Sequence, residues 1–125
     1  MPQAPPARAW TMFFQVNIRR SSARSDRPDI MRIGIIQAAI GVYGLKRVAV
    51  VDFDVHHGDG TSDILGGRDD VLILDGFQEA LFPYAHIHHA PPNAVYTPFP
   101  EGTEGIALRR TMDEVWMPKL KEYKP

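Results

Sequence analysis

The chain has 125 residues, enough for one small domain and too few for two separate hydrophobic cores. Hydrophobic residues make up 44% and charged residues 23%, the balance of a globular protein rather than a disordered tail. The formal net charge of −1 divides unevenly, with eight basic and two acidic side chains in residues 1–50 and six and thirteen in residues 51–125, and no apolar run is long enough to span a bilayer.

Cysteine is absent, which excludes disulfides and thiolate ligands and fits a reducing compartment, so the expected location is cytoplasmic. The basic first half raises organelle targeting or nucleic acid as alternatives. Pro2, Pro5 and Pro6 interrupt an amphipathic transit helix, however. Arg19-Arg20 and Arg109-Arg110 lack the aromatic interleaving of a nucleic-acid surface, so direct nucleic-acid binding is not expected.

In chain order, residues 1–28 hold no sustained period and read as a divergent segment ahead of a domain at 29–125. Trp10 to Val16 suits a short strand, and Ser21 to Pro28 a loop. Pro28 fits the first turn of a helix over Ile30 to Tyr43, apolar on most sides and therefore expected to be largely buried. Gly34 and Gly41 weaken that helix, and Gly44 can end it with a left-handed residue. Val48-Ala49-Val50-Val51 reads as a central parallel strand, Thr61 to Leu65 as a helical turn, and Val71-Leu72-Ile73-Leu74 as a second buried strand.

Asp75 to Glu104 reads mostly as loop, rich in proline, and a segment that long is usually functional. Thr103 is positioned to cap a last helix from about Gly105 to Tyr123. Leu108, Met112, Val115, Trp116, Leu120 and Tyr123 fall on one face of it, and Pro118 should kink it.

The chemistry concentrates in Asp52-Phe53-Asp54-Val55-His56-His57-Gly58-Asp59-Gly60, directly after the first buried strand. Residues two apart on an extended chain share a side, so Asp52, Asp54 and His56 are expected to converge. Ligands of α/β folds bind beyond the carboxyl ends of parallel strands, where this cluster falls. Carboxylate and imidazole are both zinc ligands. For a bare Asp-x-His, a helix cap or a solvated loop is the ordinary explanation. Five ionisable residues at the end of a core strand shift the balance, because charge placed there is costly unless a metal or counter-charge satisfies it.

The stretch Gly44 to Thr61 resembles the strand-and-metal-loop motif of the histone deacetylase superfamily, in the flavour of its bacterial deacetylase and acetylpolyamine amidohydrolase branch, related to the class II enzymes. The likeness continues through Phe77-Gln78, Phe82-Pro83-Tyr84 and Pro98-Phe99-Pro100-Glu101-Gly102-Thr103, and covers about Ala39 to the C-terminus. It implies an α/β fold, part of a three-layer α/β/α sandwich with a mostly parallel sheet. It implies zinc-dependent hydrolysis of the amide in acetyl-lysine proteins or acetylated polyamines. Asp54 and His56 would be two of the three zinc ligands, and Asp52 would help hold a monovalent cation, K+ in kind. Asp59 would be the partner of a catalytic histidine, and Phe82 would line the substrate tunnel.

The resemblance also implies departures. Asp75 stands where the family has a serine at the cation site. No histidine precedes His56, whereas the family carries a His-His pair upstream. The third zinc-ligating aspartate and the carbonyl-polarising tyrosine are expected beyond Pro125. The expectation is therefore a partial domain, inactive by itself. Exposed sheet edges would favour a homo-oligomer or a complementing chain. The alternatives are a non-catalytic metal-binding or interaction fragment and one segment of a split deacetylase. His86-Ile87-His88-His89 reads as a solvated loop before it reads as a metal site.

Overall fold

A computed structural model of the chain describes residues 12–14, 27–84 and 89–125, with side chains from Ile33 onward. Four parallel strands form one sheet: β1 (Met12–Phe14), β2 (Val48–Asp52), β3 (Val71–Gln78) and β4 (Ala94–Phe99), in the order β1-β2-β3-β4. The strand expected within Trp10 to Val16 is thus β1, next to β2.

Alternation along β2 and β3 builds a core on each side of the sheet. Val48, Val50, Val71 and Ile73 pack with Ile33, Ile36 and Ala39 of α1 (Arg27–Gly41) and with Leu65 of α2 (Asp59–Leu65). Ala49, Val51, Leu72 and Leu74 pack with Trp116 and Leu120 from the C-terminal helical segment. The arrangement is three layers, helix on sheet on helix, as expected. No helix among the described residues is long and apolar enough to cross a membrane.

Gly44 ends the α1 region as expected, with φ at +70°, where a side chain would be strained. The N–H of Leu45 then reaches back to the carbonyl of Ala39 at 3.1 Å. The expectation that this helix would be largely buried needs correction. One sheet face can cover only one stripe, so Ile33, Ile36 and Ala39 are buried while Ile35, Val42 and Tyr43 are exposed.

Three further differences lie in the second half. The stretch read as loop from Asp75 contains the rest of β3 and the whole of β4. Pro98 hid β4, yet this strand is outermost among the described strands, where a missing N–H is tolerated. Thr103 does not cap the last helix; its hydroxyl donates to the carbonyl of Pro100 at 2.6 Å, and Glu104 precedes the first turn without a side-chain cap. The long helix is divided into α3 (Gly105–Thr111), a π-helical turn (Met112–Trp116) and α4 (Met117–Tyr123). Pro118 removes the hydrogen bond that Glu114 would accept, and the widened turn falls at that place. The apolar stripe otherwise holds: Leu108, Met112 and Tyr123 pack against the core cluster that contains the buried Trp116 and Leu120, whereas Val115 is exposed.

Candidate metal centre

Strand β2 ends at Asp52, and the chain leaves the sheet at Phe53. Buried Asp52 accepts the N–H of Asp54 on Oδ1 at 3.1 Å, a local turn that aspartate favours. Asp54 accepts the N–H of Val55 on Oδ1 at 2.8 Å, which leaves Oδ2 facing Nδ1 of His56 at 3.3 Å. The carbonyl of Val55 accepts the N–H of Gln78 at 2.9 Å, tying the loop to the end of β3.

The expected three-way convergence therefore divides. Asp54 and His56 meet, while Asp52 is engaged with the backbone of Asp54. The reason is that extended geometry stops at Asp52, so the two-residue period does not carry through to His56. Exposure separates them as well: the side chain of His56 is 48% exposed and that of Asp54 15%.

The zinc expected here can be tested against this donor set. Two ligand atoms about 2.0–2.2 Å from a tetrahedral zinc are separated by roughly 3.3–3.5 Å. The observed 3.3 Å matches that bite and exceeds the roughly 2.7–2.9 Å of a charge-assisted hydrogen bond. The pair fits zinc in kind and spacing. It does not fit in number, since no group of three or more metal-ligating side chains occurs among the described residues.

The second histidine of the pair points the other way. His57 is buried, its Nδ1 2.7 Å from Oδ2 of Asp75, and the same oxygen accepts the N–H of Gly58 at 3.0 Å. Its ring sits 4.5 Å from that of Phe77 and 4.6 Å from that of Tyr96, centre to centre. Burial pushes the Tyr96 hydroxyl pKa up. Oδ1 of Asp75 is buried without a hydrogen-bond partner, and Asp75 is the register partner of Asp52 on the neighbouring strand. Sequence reasoning did not single out His57; the available signal was an ionisable residue, Asp75, directly after the four apolar residues that open β3.

Asp59 begins α2 and accepts the N–H of Gly60 at 2.9 Å. Phe82 is exposed, with its ring edge-on to Tyr84 at 6.5 Å. A groove of about 180 Å³ opens beside Asp54, walled by Phe53, Phe77, Phe99, Thr103 and Glu104, and Phe82 is not part of its wall. His86 and His88 lie outside the described residues, and His89 is exposed.

With this geometry in view, the chain can be set beside known proteins. The histone deacetylase domain matches residues 31–125. Histone deacetylase 10, chloroplastic, of Oryza sativa is 36% identical over 89 residues, covering 66% of this chain and 20% of the relative. The histone deacetylase-like amidohydrolase of Pseudomonas aeruginosa is 34% identical over 97 residues, covering 72% and 26%. Acetylpolyamine amidohydrolase 1 of the same organism is 49% identical over 43 residues, covering 33% and 12%. The chain thus spans about a fifth to a quarter of the length of the first two.

Proposed function

The chain belongs to the histone deacetylase family, and on that premise we propose that it supplies the Asp54–His56 part of a zinc site for hydrolysing acetylated amines. The observation that carries the reading is the 3.3 Å separation of Asp54 Oδ2 and His56 Nδ1. Bound there, zinc would lower the pKa of a water ligand and polarise an amide carbonyl. The other residues take supporting roles. Asp59 would steady a catalytic histidine that this chain does not provide upstream of His56. Asp52 would hold a monovalent cation such as K+, and the unpartnered buried Oδ1 of Asp75 supports a positive charge in that neighbourhood. Phe53, Phe77 and Phe99 would wall the path of the acyl chain beside Asp54, while the exposed Phe82, outside that groove, would meet the substrate only at the surface.

The substrate class is an acetylated lysine in a protein or an acetylated polyamine. Similarity over 43 residues to an acetylpolyamine amidohydrolase supports the second. Two protein ligands are one fewer than catalytic zinc usually has. The proposal is accordingly that these residues supply two zinc ligands of a deacetylase site and do not hydrolyse the amide by themselves.

The test is acetate release from an acetyl-lysine peptide and from an acetylated polyamine, with zinc present. The chain alone should release no more acetate than its Asp54→Ala variant. Release that disappears in Asp54→Ala would show a complete site and would contradict inactivity in isolation.

A further inference from the structure

We propose that Asp75 is a positioning residue, whose carboxylate holds His57 and Gly58 inward and thereby sets the outward aim of Asp54 and His56. This rests on the reading of Asp54 and His56 as metal ligands.

Three ties hold the loop between β2 and α2. Asp52 fixes its start through the N–H of Asp54, and Gln78 fixes its middle through the carbonyl of Val55. Asp75 fixes its end, where one carboxylate oxygen receives both the imidazole of His57 and the N–H of Gly58. That last tie divides the two adjacent histidines. His57 is drawn under the loop between Phe77 and Tyr96, and His56, one residue earlier, is left facing outward beside Asp54.

The tie is made in the interior, where both partners are shielded from water. A buried N–H deprived of its acceptor costs free energy, so without the Asp75 carboxylate the Gly58 backbone and the His57 ring would have to move to find another. Any such movement is transmitted through one peptide unit to His56. A serine at position 75 would have a shorter side chain and one oxygen. In this chain the longer carboxylate reaches two donors.

The experiment uses the full chain, with amide exchange followed by NMR and Co²⁺ as the metal probe. In Asp75→Ala, the Gly58 amide should exchange at least tenfold faster while Val50 and Ile73 in the sheet keep their protection. The His56 ring signals should shift, and Co²⁺ affinity should fall by roughly 10–100-fold, the usual effect of losing an outer partner of a metal site. Asp75→Asn, which keeps an acceptor oxygen, should restore most of both. Unchanged Gly58 exchange and Co²⁺ affinity in Asp75→Ala would overturn the proposal. So would loss of protection spread evenly over the sheet in both variants, which would mark Asp75 as a general stabiliser. Failure of the parent chain to bind Co²⁺ would sink the metal reading alone, because the Gly58 and His56 signals still decide whether Asp75 sets the loop.

Discussion

Gly76 lies against the indole of Trp116 so closely that a Cβ at position 76 would fall 2.9 Å from Cζ2 of Trp116 and 3.1 Å from Cε2 of Phe99. The contact joins β3, immediately after Asp75, to the helical layer on that side of the sheet. Position 76 must be glycine for the helix to seat there. Gly76→Ala is expected to cost about 1–3 kcal/mol through overpacking. Trp116→Ala, which empties a buried site, is expected to cost about 3–5 kcal/mol. Urea unfolding followed by circular dichroism checks both, and a Gly76→Ala chain as stable as the parent would contradict this account of the packing.

A second prediction concerns Asn93, whose amide joins three pieces of backbone ahead of β4. Its Nδ2 donates to the carbonyls of Leu65 and Val71, both at 2.9 Å, and its Oδ1 accepts the N–H of Gly67 at 2.7 Å. The end of α2, the turn after it and the start of β3 are held by one side chain. Replacing Asn93 by Ala should destabilise the chain by about 1–3 kcal/mol, since backbone groups lose their partners. Asn93→Asp should be at least as damaging, because it sets carboxylate oxygens against two carbonyls. Matching unfolding midpoints for Asn93→Asp and the parent would rule this arrangement out.

Alkaline pH gives a third. Burial, reinforced by the nearby Asp70, pushes the Tyr123 hydroxyl up to about 12 from its ordinary 10.0, while Arg47 opposes the shift. The hydroxyl donates to the carbonyl of Asp69 at 2.9 Å. The fold therefore prefers the neutral phenol. Its contribution is complete below the unfolded-state pKa near 10 and is lost as pH rises toward 12. Tyr123→Phe should flatten part of the stability decline between pH 10 and 12, to which Tyr96, shifted in the same direction, also contributes. Ultraviolet titration of the parent should show a late tyrosine ionisation near pH 12 that is absent from Tyr123→Phe.

What the sequence disclosed follows physical lines. The run Val48 to Val51 announced a strand covered on both faces because apolar residues have no alternation to lose there, and Gly44 announced the end of α1 because only glycine sits easily at its φ. The stretch from Gly44 to Thr61 disclosed the family through its resemblance to the deacetylase metal loop, and the density of ionisable residues from Asp52 to Asp59 marked the place where Asp54 and His56 meet. Strand β4 escaped because Pro98 breaks its pattern and only the pairing to β3 makes it a strand. The clamp on His57 escaped for a different reason. It depends on the register that sets Asp75 beside Asp52, a relation between residues 23 positions apart that no local pattern carries. The π turn before Pro118 belongs to the same class, since proline signals a disruption without saying how the backbone absorbs it.

The central claim, that Asp54 and His56 are zinc ligands, is tested most directly by calorimetry of zinc binding to the purified chain, to Asp54→Ala and to His56→Ala. The account predicts one zinc per site, with affinity reduced at least about tenfold in each variant, as expected when a coordinating side chain is removed from a site with so few. Binding that is weak and indifferent to both substitutions would contradict it, and would leave the metal loop as a mark of ancestry alone.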